Sequence, residues 1–177
     1  MSVSDAWLLE PNDSLSIAIG DHEMVEYVQV PVSFPVPGSP GYCHHVLFWQ
    51  DNLVPVMDIG VLLGQPAQDT SSFMSLIAYQ QQPGSPLQYV AVKVRTAPEK
   101  IQVDDAQVSE LSKEISDGIL MPVCLSCFSY GNRPVVILDI ARLCSAEFRD
   151  LVNSPQNLGT GFSESVAIDP VQDVSIK

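Results

Sequence analysis

Leu53-Val54-Pro55-Val56-Met57-Asp58-Ile59-Gly60-Val61-Leu62-Leu63 has an echo in Pro134-Val135-Val136-Ile137-Leu138-Asp139-Ile140-Ala141-Arg142-Leu143-Cys144. Aligning Asp58 with Asp139, 81 residues apart, puts an aliphatic strand before each aspartate and an apolar helical turn after it. A carboxylate at such a junction accepts hydrogen bonds from the orphan N–H groups of the turn and stabilises it by roughly 1 kcal/mol. Capping therefore accounts for both acids without invoking acid–base catalysis. The spacing is too long for a solenoid repeat and fits two related subdomains, each closing a small set of strands with a helical turn.

Outward from this pair the chain reads as mainly β. Ser16 to Ile19 and Met24 to Val30 alternate at period two around the turn-prone Gly20-Asp21. Val30 to Gly41 is a proline-punctuated loop with few backbone donors, fit for a surface or a sheet edge. Cys43 to Trp49 and Leu53 to Met57 form a strand pair hinged at Gln50-Asp51-Asn52. Further strands fit Phe73 to Tyr79, Tyr89 to Thr96, Met121 to Phe128 and Val135 to Leu138. Pro83-Gly84-Ser85-Pro86 marks a hairpin loop, and Tyr130 to Arg133 turns the last pair. An apolar stripe of Leu143, Phe148, Leu151 and Val152 predicts a helix over Arg142 to Asn153. A shorter helix or structured loop falls within Asp105 to Ser116. The opening, Met1 to Asn12, reads as polar and irregular apart from Trp7-Leu8-Leu9. The domain plan is thus an N-terminal extension over 1–13, a two-part domain over 14–153, and a loose tail over 154–177.

Composition narrows the function. Hydrophobic residues make up 46% of the 177, enough for a sizeable core, and the 14 prolines between apolar runs favour β structure. Net charge is −13, and no Lys or Arg precedes Lys93. A half without cations cannot neutralise phosphates, which argues against nucleic acid and anionic membranes as partners. No secretory leader is recognisable and no apolar run reaches the roughly 18 residues of a membrane span, so a cytoplasmic setting with reduced thiols is expected.

Catalytic constellations are missing from the pattern. There is no G-x-S-x-G elbow, P-loop or G-x-G-x-x-G, and the histidines (His22, His44, His45) lie in a turn and on a strand. Cys124-Leu125-Ser126-Cys127 is a C-x-x-C, but residues three apart on an extended strand face opposite ways, so no cofactor and no metal are expected. The alternative reading is a small metal-binding or redox protein using Cys43, His44, Cys124 and Cys127.

Pro37-Gly38-Ser39-Pro40, Tyr42, Val46-Leu47 and Leu53 to Ile59 follow one another without insertion in the order of the CheW-like chemotaxis adaptor signature, which this chain resembles. That signature runs Pro-Gly-x-Pro, an aromatic, Gly-Val-Ile-Asn-Leu-Arg-Gly, then Pro-Val-Ile-Asp-Leu. Tyr89 to Val94 and Arg133 to Cys144 agree in order and kind. The resemblance implies two intertwined five-stranded SH3-like β-barrel subdomains with a short C-terminal helix. It also implies a non-catalytic adaptor joining a chemoreceptor's cytoplasmic tip to a histidine kinase regulatory domain in cytoplasmic, polar arrays. By position it assigns partner binding to Val46, Phe48, Gln50, Asp51 and Asn52. Structural roles fall to Pro37, Gly38, Pro40, Pro55, Asp58 and Asp139. The family's Gly, Asn, Arg and second Gly are here His45, Phe48, Gln50 and Asp51. Losing a five-donor cation beside a new negative charge suggests a specialised adaptor, for example in a type IV pilus (twitching) chemosensory system.

Overall fold

The computed structural model describes residues 3–29, 31–67 and 73–154. The expected tail over 154–177 lies, apart from Ser154, outside these residues. Among the described residues eleven strands form two curled sheets, the two SH3-like barrel subdomains. The strands are β1 (Val3–Leu9), β2 (Ser16–Gly20), β3 (Met24–Gln29), β4 (Ser33–Pro35), β5 (His45–Trp49), β6 (Asn52–Met57), β7 (Phe73–Tyr79), β8 (Gln88–Val94), β9 (Glu99–Asp104), β10 (Cys124–Tyr130) and β11 (Arg133–Leu138). One sheet runs β10-β11-β2-β1-β9 and the other β3-β7-β8-β6-β5-β4. Both ends of the described chain therefore contribute to the five-stranded sheet, while its middle builds the six-stranded one.

The duplication extends well beyond the aspartates. A 3₁₀ turn at Gly41–Cys43 precedes β5, and another at Met121–Val123 precedes β10. The Asp58 N–H donates to the Tyr42 carbonyl at 2.7 Å, and the Asp139 N–H to that of Val123 at 2.9 Å. Both pairs obey the same 81-residue offset. Each hairpin turns on two residues of positive φ: Gln50 and Asp51 at 43° and 63°, Gly131 and Asn132 at 57° and 62°. Such two-residue turns match the right-handed twist of the strands they join. Helices α1 (Ile59–Leu62) and α3 (Ile140–Leu143) follow the two aspartates. Their first turns are capped as expected: Val61 N–H donates to Asp58 Oδ1 at 3.1 Å and Arg142 N–H to Asp139 Oδ1 at 2.9 Å.

Each sheet curls until strands at or next to its two edges meet. Trp49 on β5 donates its indole N–H to Glu26 on β3 at 2.6 Å, although β3 begins the sheet and β5 stands next to its far end. Its counterpart Tyr130 on β10 donates to Glu99 on β9 at 3.4 Å, linking the two edges of the other sheet. Inside the barrels sit two small cores, Leu47, Val54, Val56, Met74, Leu76 and Ala91 in one, Leu8, Ala18, Ile101, Phe128 and Val135 in the other. Between them a larger cluster draws Ile17, Ile19, Val136 and Leu138 from one sheet and Met57, Ile77, Val90 and Val92 from the other. Strands β2 and β8 are consequently buried on both faces, from Ser16 to Ile19 and from Val90 to Val92.

Several expectations need correcting. The opening is strand β1, seated between β2 and β9, because its backbone pairs along its length while the side chains of Val3 to Asp5 stay in water. Glu99 to Asp104 is a strand the sequence did not signal, since Ile101 is its one buried residue. The proline loop contributes β4 as a sixth strand on an edge, where Pro35 needs no ladder partner on its open side. Met121 to Val123 is a 3₁₀ turn, so the strand expected from Met121 starts at Cys124. The helix expected over Arg142 to Asn153 is two pieces, α3 and α4 (Ala146–Val152), because the Ser145 hydroxyl caps a fresh start by accepting from Phe148 N–H at 3.1 Å. Asp105 to Ser116 holds a 3₁₀ turn at Asp105–Gln107 and the single turn α2 (Lys113–Ser116).

The two caps differ in one respect: Lys93 Nζ lies 3.4 Å from Asp58 Oδ2, with both side chains mostly buried. Asp139→Ala should cost about 1 kcal/mol, whereas Asp58→Ala, which also strands the ammonium, should cost roughly 2–3 kcal/mol. Urea denaturation of the two variants checks the difference.

Candidate partner-binding surface

Strands β4, β5 and β6 turn one face to solvent, and the register decides which side chains share it. Phe34 stands opposite Val46, and Val46 opposite Pro55; in the next row Phe48 stands opposite Leu53. Opposed residues of an antiparallel pair lie on the same face. Phe34, Phe48 and Leu53 are 54%, 60% and 70% exposed, Pro55 is exposed and Val46 half-buried. The alternate residues of the same strands, Leu47, Val54 and Val56, fill the barrel. The outward row is thus an apolar strip on a rigid sheet, of the kind that marks an interaction surface.

The structure gathers all five residues expected to bind a partner. Val46 and Phe48 belong to the strip itself. Gln50, Asp51 and Asn52 form its tip and are exposed, with the Asn52 amide donating to the Gln50 carbonyl at 2.9 Å. Asp51 occupies the left-handed region where glycine is at ease, so a charged side chain is held there at an energetic cost. Sequence reasoning missed Phe34 and Leu53. Leu53 was placed on the strand, but only cross-strand register shows that it joins Phe48.

The residues expected to shape the structure are placed accordingly. Gly38 has a φ of 76°, Pro40 stands immediately before the 3₁₀ turn, and Cys43 N–H donates to the Pro40 carbonyl at 2.9 Å. Pro37 is exposed beside them.

The thiols take a different arrangement from the one expected. A bulge between Cys124 and Ser126 sets Cys124 opposite Leu138 and Cys127 opposite Val136. The extra residue puts both cysteines on one face of the sheet, correcting the expectation that they diverge. Cys43 occupies the corresponding turn of the other subdomain, and the rings of His44 and His45 meet edge to face with centroids 4.8 Å apart. Among the described residues, no three His, Cys, Asp or Glu side chains come together to hold a metal ion. Burial pushes the Cys43 and Cys124 thiols up, and the Cys144 thiol to about 12. At neutral pH these thiols stay protonated, which leaves them poor nucleophiles.

The CheW-like domain model matches residues 12–148. No curated protein matches the sequence. Among solved structures, the chain is similar to the scaffolding protein TtCheW from Thermoanaerobacter tengcongensis. The TM-score is 0.63 at 11% identity, over 78% of this chain and 90% of that one. Among the described residues no helix is long and apolar enough to cross a membrane.

Because Phe48 packs mainly against solvent, Phe48→Ser should change the unfolding free energy by less than about 0.5–1 kcal/mol. Asp51→Gly should stabilise the fold by about 0.5 kcal/mol through relief of the left-handed turn. Denaturant midpoints of both variants provide the measurement.

Proposed function

Because the chain belongs to the CheW-like domain family, we propose that it is a non-catalytic chemotaxis-type adaptor working in the cytoplasm. It joins the cytoplasmic tip of a chemoreceptor to the regulatory domain of a CheA-like histidine kinase. The observation that carries this reading is the solvent-facing strip of Phe34, Val46, Phe48, Leu53 and Pro55 on β4 to β6. Two barrels locked by a common core hold such a strip rigid, so little ordering entropy opposes docking. A contact of on the order of 1,000–1,600 Å² gives micromolar affinity, strengthened by avidity in an array.

Charge refines the partner. The tip of the strip carries Asp51, and no Lys or Arg precedes Lys93. A partner surface that is apolar at its centre and basic at its rim is complementary to it. Gln50 and Asp51 in place of the family's Arg-Gly support a specialised adaptor, and we place it in a type IV pilus chemosensory system controlling twitching.

Binding measurements with the purified receptor tip and kinase regulatory domain from the same system test this. Phe48→Asp and Leu53→Asp should each weaken one of the two interactions at least tenfold while the circular dichroism spectrum stays that of the β fold. Unchanged affinity for both partners would refute the strip as a contact. Gln50→Arg combined with Asp51→Gly should lower or leave unchanged the affinity for the protein's own receptor; a rise would end the case for specialisation.

A further inference from the structure

A second surface feature lies apart from the strip, between the loop joining β1 to β2 and the turn after β6. It is a notch of about 20 Å³ lined by Asn12, Asp58, Gly60, Gln65, Lys93 and Arg95, among others. We propose that this notch binds a carboxylate group. The proposal does not depend on the adaptor reading.

Asn12 is the central observation. The residue is 7% exposed, and its Oδ1 accepts from Ser14 N–H at 2.9 Å, Ser14 Oγ at 3.1 Å and Leu15 N–H at 2.8 Å. Three donors fix the orientation of the amide, because flipping it would set an NH₂ against them. Nδ2 is thereby turned toward Gly60 across the notch, buried and without a hydrogen-bond partner among the described residues. A buried donor left unpaired is costly, so the position calls for an acceptor from outside the chain.

The opposite wall, which carries the acceptor oxygens Asp58 Oδ1 and Gln65 Oε1, is kept free of a side chain at residue 60. A Cβ on Gly60 would stand 3.2 Å from both Asp58 Oδ1 and Gln65 Oε1, and 3.9 Å from Asn12 Nδ2. The turn itself does not demand glycine, since the sister turn capped by Asp139 carries Ala141 at the matching position. Glycine here keeps the notch open.

Lys93 and Arg95 are balanced by Asp58 and Asp13, so only displacement of the exposed Asp13 leaves one positive charge in excess, which favours a carboxylate over a neutral carbonyl. Lys93 is engaged with Asp58 inside the notch. Arg95, at the rim, is paired with Asp13, whose side chain is 84% exposed. An exposed ion pair is worth little and exchanges readily. An incoming carboxylate places one oxygen on Asn12 Nδ2 and offers the other to the Arg95 guanidinium, displacing Asp13. A volume of about 20 Å³ takes one oxygen-sized group, so a single carboxylate oxygen enters while the rest of the acid stays at the rim. The source is either an Asp or Glu side chain of a partner protein or a free small carboxylate.

The test is a titration of the whole chain, labelled with nitrogen-15, at pH 7, following the Asn12 side-chain NH₂. Sodium acetate is compared with sodium chloride at equal ionic strength. Acetate should shift the signal saturably with a Kd of about 1–10 mM, as suits so small a ligand. Asp13→Ala removes the internal competitor and should tighten binding several-fold. Gly60→Ala fills the notch and should abolish the response, with circular dichroism confirming that the fold persists. A capped Gly-Glu-Gly peptide identifies the source: affinity tenfold above that of acetate assigns a partner's side chain, and equal or weaker affinity assigns a free small acid. An identical shift with chloride, or a response that survives Gly60→Ala, would overturn the proposal and leave a notch for water alone.

Discussion

The fold depends on the apolar cluster shared by the two barrels. Ile17 and Ile19 on β2 share it with Val90 and Val92 on β8, together with Met57, Val136 and Leu138. Exposing any one of these side chains would cost roughly 1.5–3 kcal/mol, so neither barrel is a stable unit without the other. This explains why β2 and β8 are buried on both faces, a pattern otherwise typical of strands covered by helices. It also explains the chain path. β2 pairs in parallel with β11 and β6 with β8, so the five-stranded sheet forms only when the two ends of the described chain meet across the other barrel. Rigidity of the outer strands follows from this locked centre.

Around that centre the same unit is used twice: a 3₁₀ turn, a hairpin, an aspartate-capped helical turn, and an aromatic–glutamate contact that closes the barrel. Backbone bonds at Asp58 and Asp139 repeat to within a few tenths of an ångström. What the two copies keep is what closure requires. What they vary is what faces outward. Phe48 corresponds to Ser129, Leu53 to Pro134, the Gln50-Asp51 turn to Gly131-Asn132, and Gly60 to Ala141. Phe48 and Leu53 of the strip and Gly60 of the notch sit in the first copy, at positions where the second shows that closure alone asks for something plainer.

The chemistry of the side chains agrees with a positional role. The Cys43, Cys124 and Cys144 thiols are held protonated by burial. Asp58 is spent on a cap and an ion pair, and Asp139 on a cap. Groups tied into the frame in this way are poorly suited to turnover, whereas strips and notches on a rigid frame are suited to recognition.

The amino-acid sequence alone determined the paired hairpins, their turns and both aspartate caps. In each, the apolar period and the capping residue act over a few neighbouring positions and need no distant partner. The resemblance, by matching position, also singled out Val46, Phe48 and Gln50 to Asn52 as one surface. Only the tertiary structure decided that Val3 to Leu9 is a strand, since its outer half gains from backbone pairing with β9, which any side-chain pattern permits. The same holds for Glu99 to Asp104, and for the bulge that turns Cys124 and Cys127 to one side. Phe34 and Leu53 joined the strip through register, and Asn12 reached the notch through the packing of one barrel on the other. Local periodicity records which face a residue takes; which distant residue it meets there is set by how the two barrels share their core.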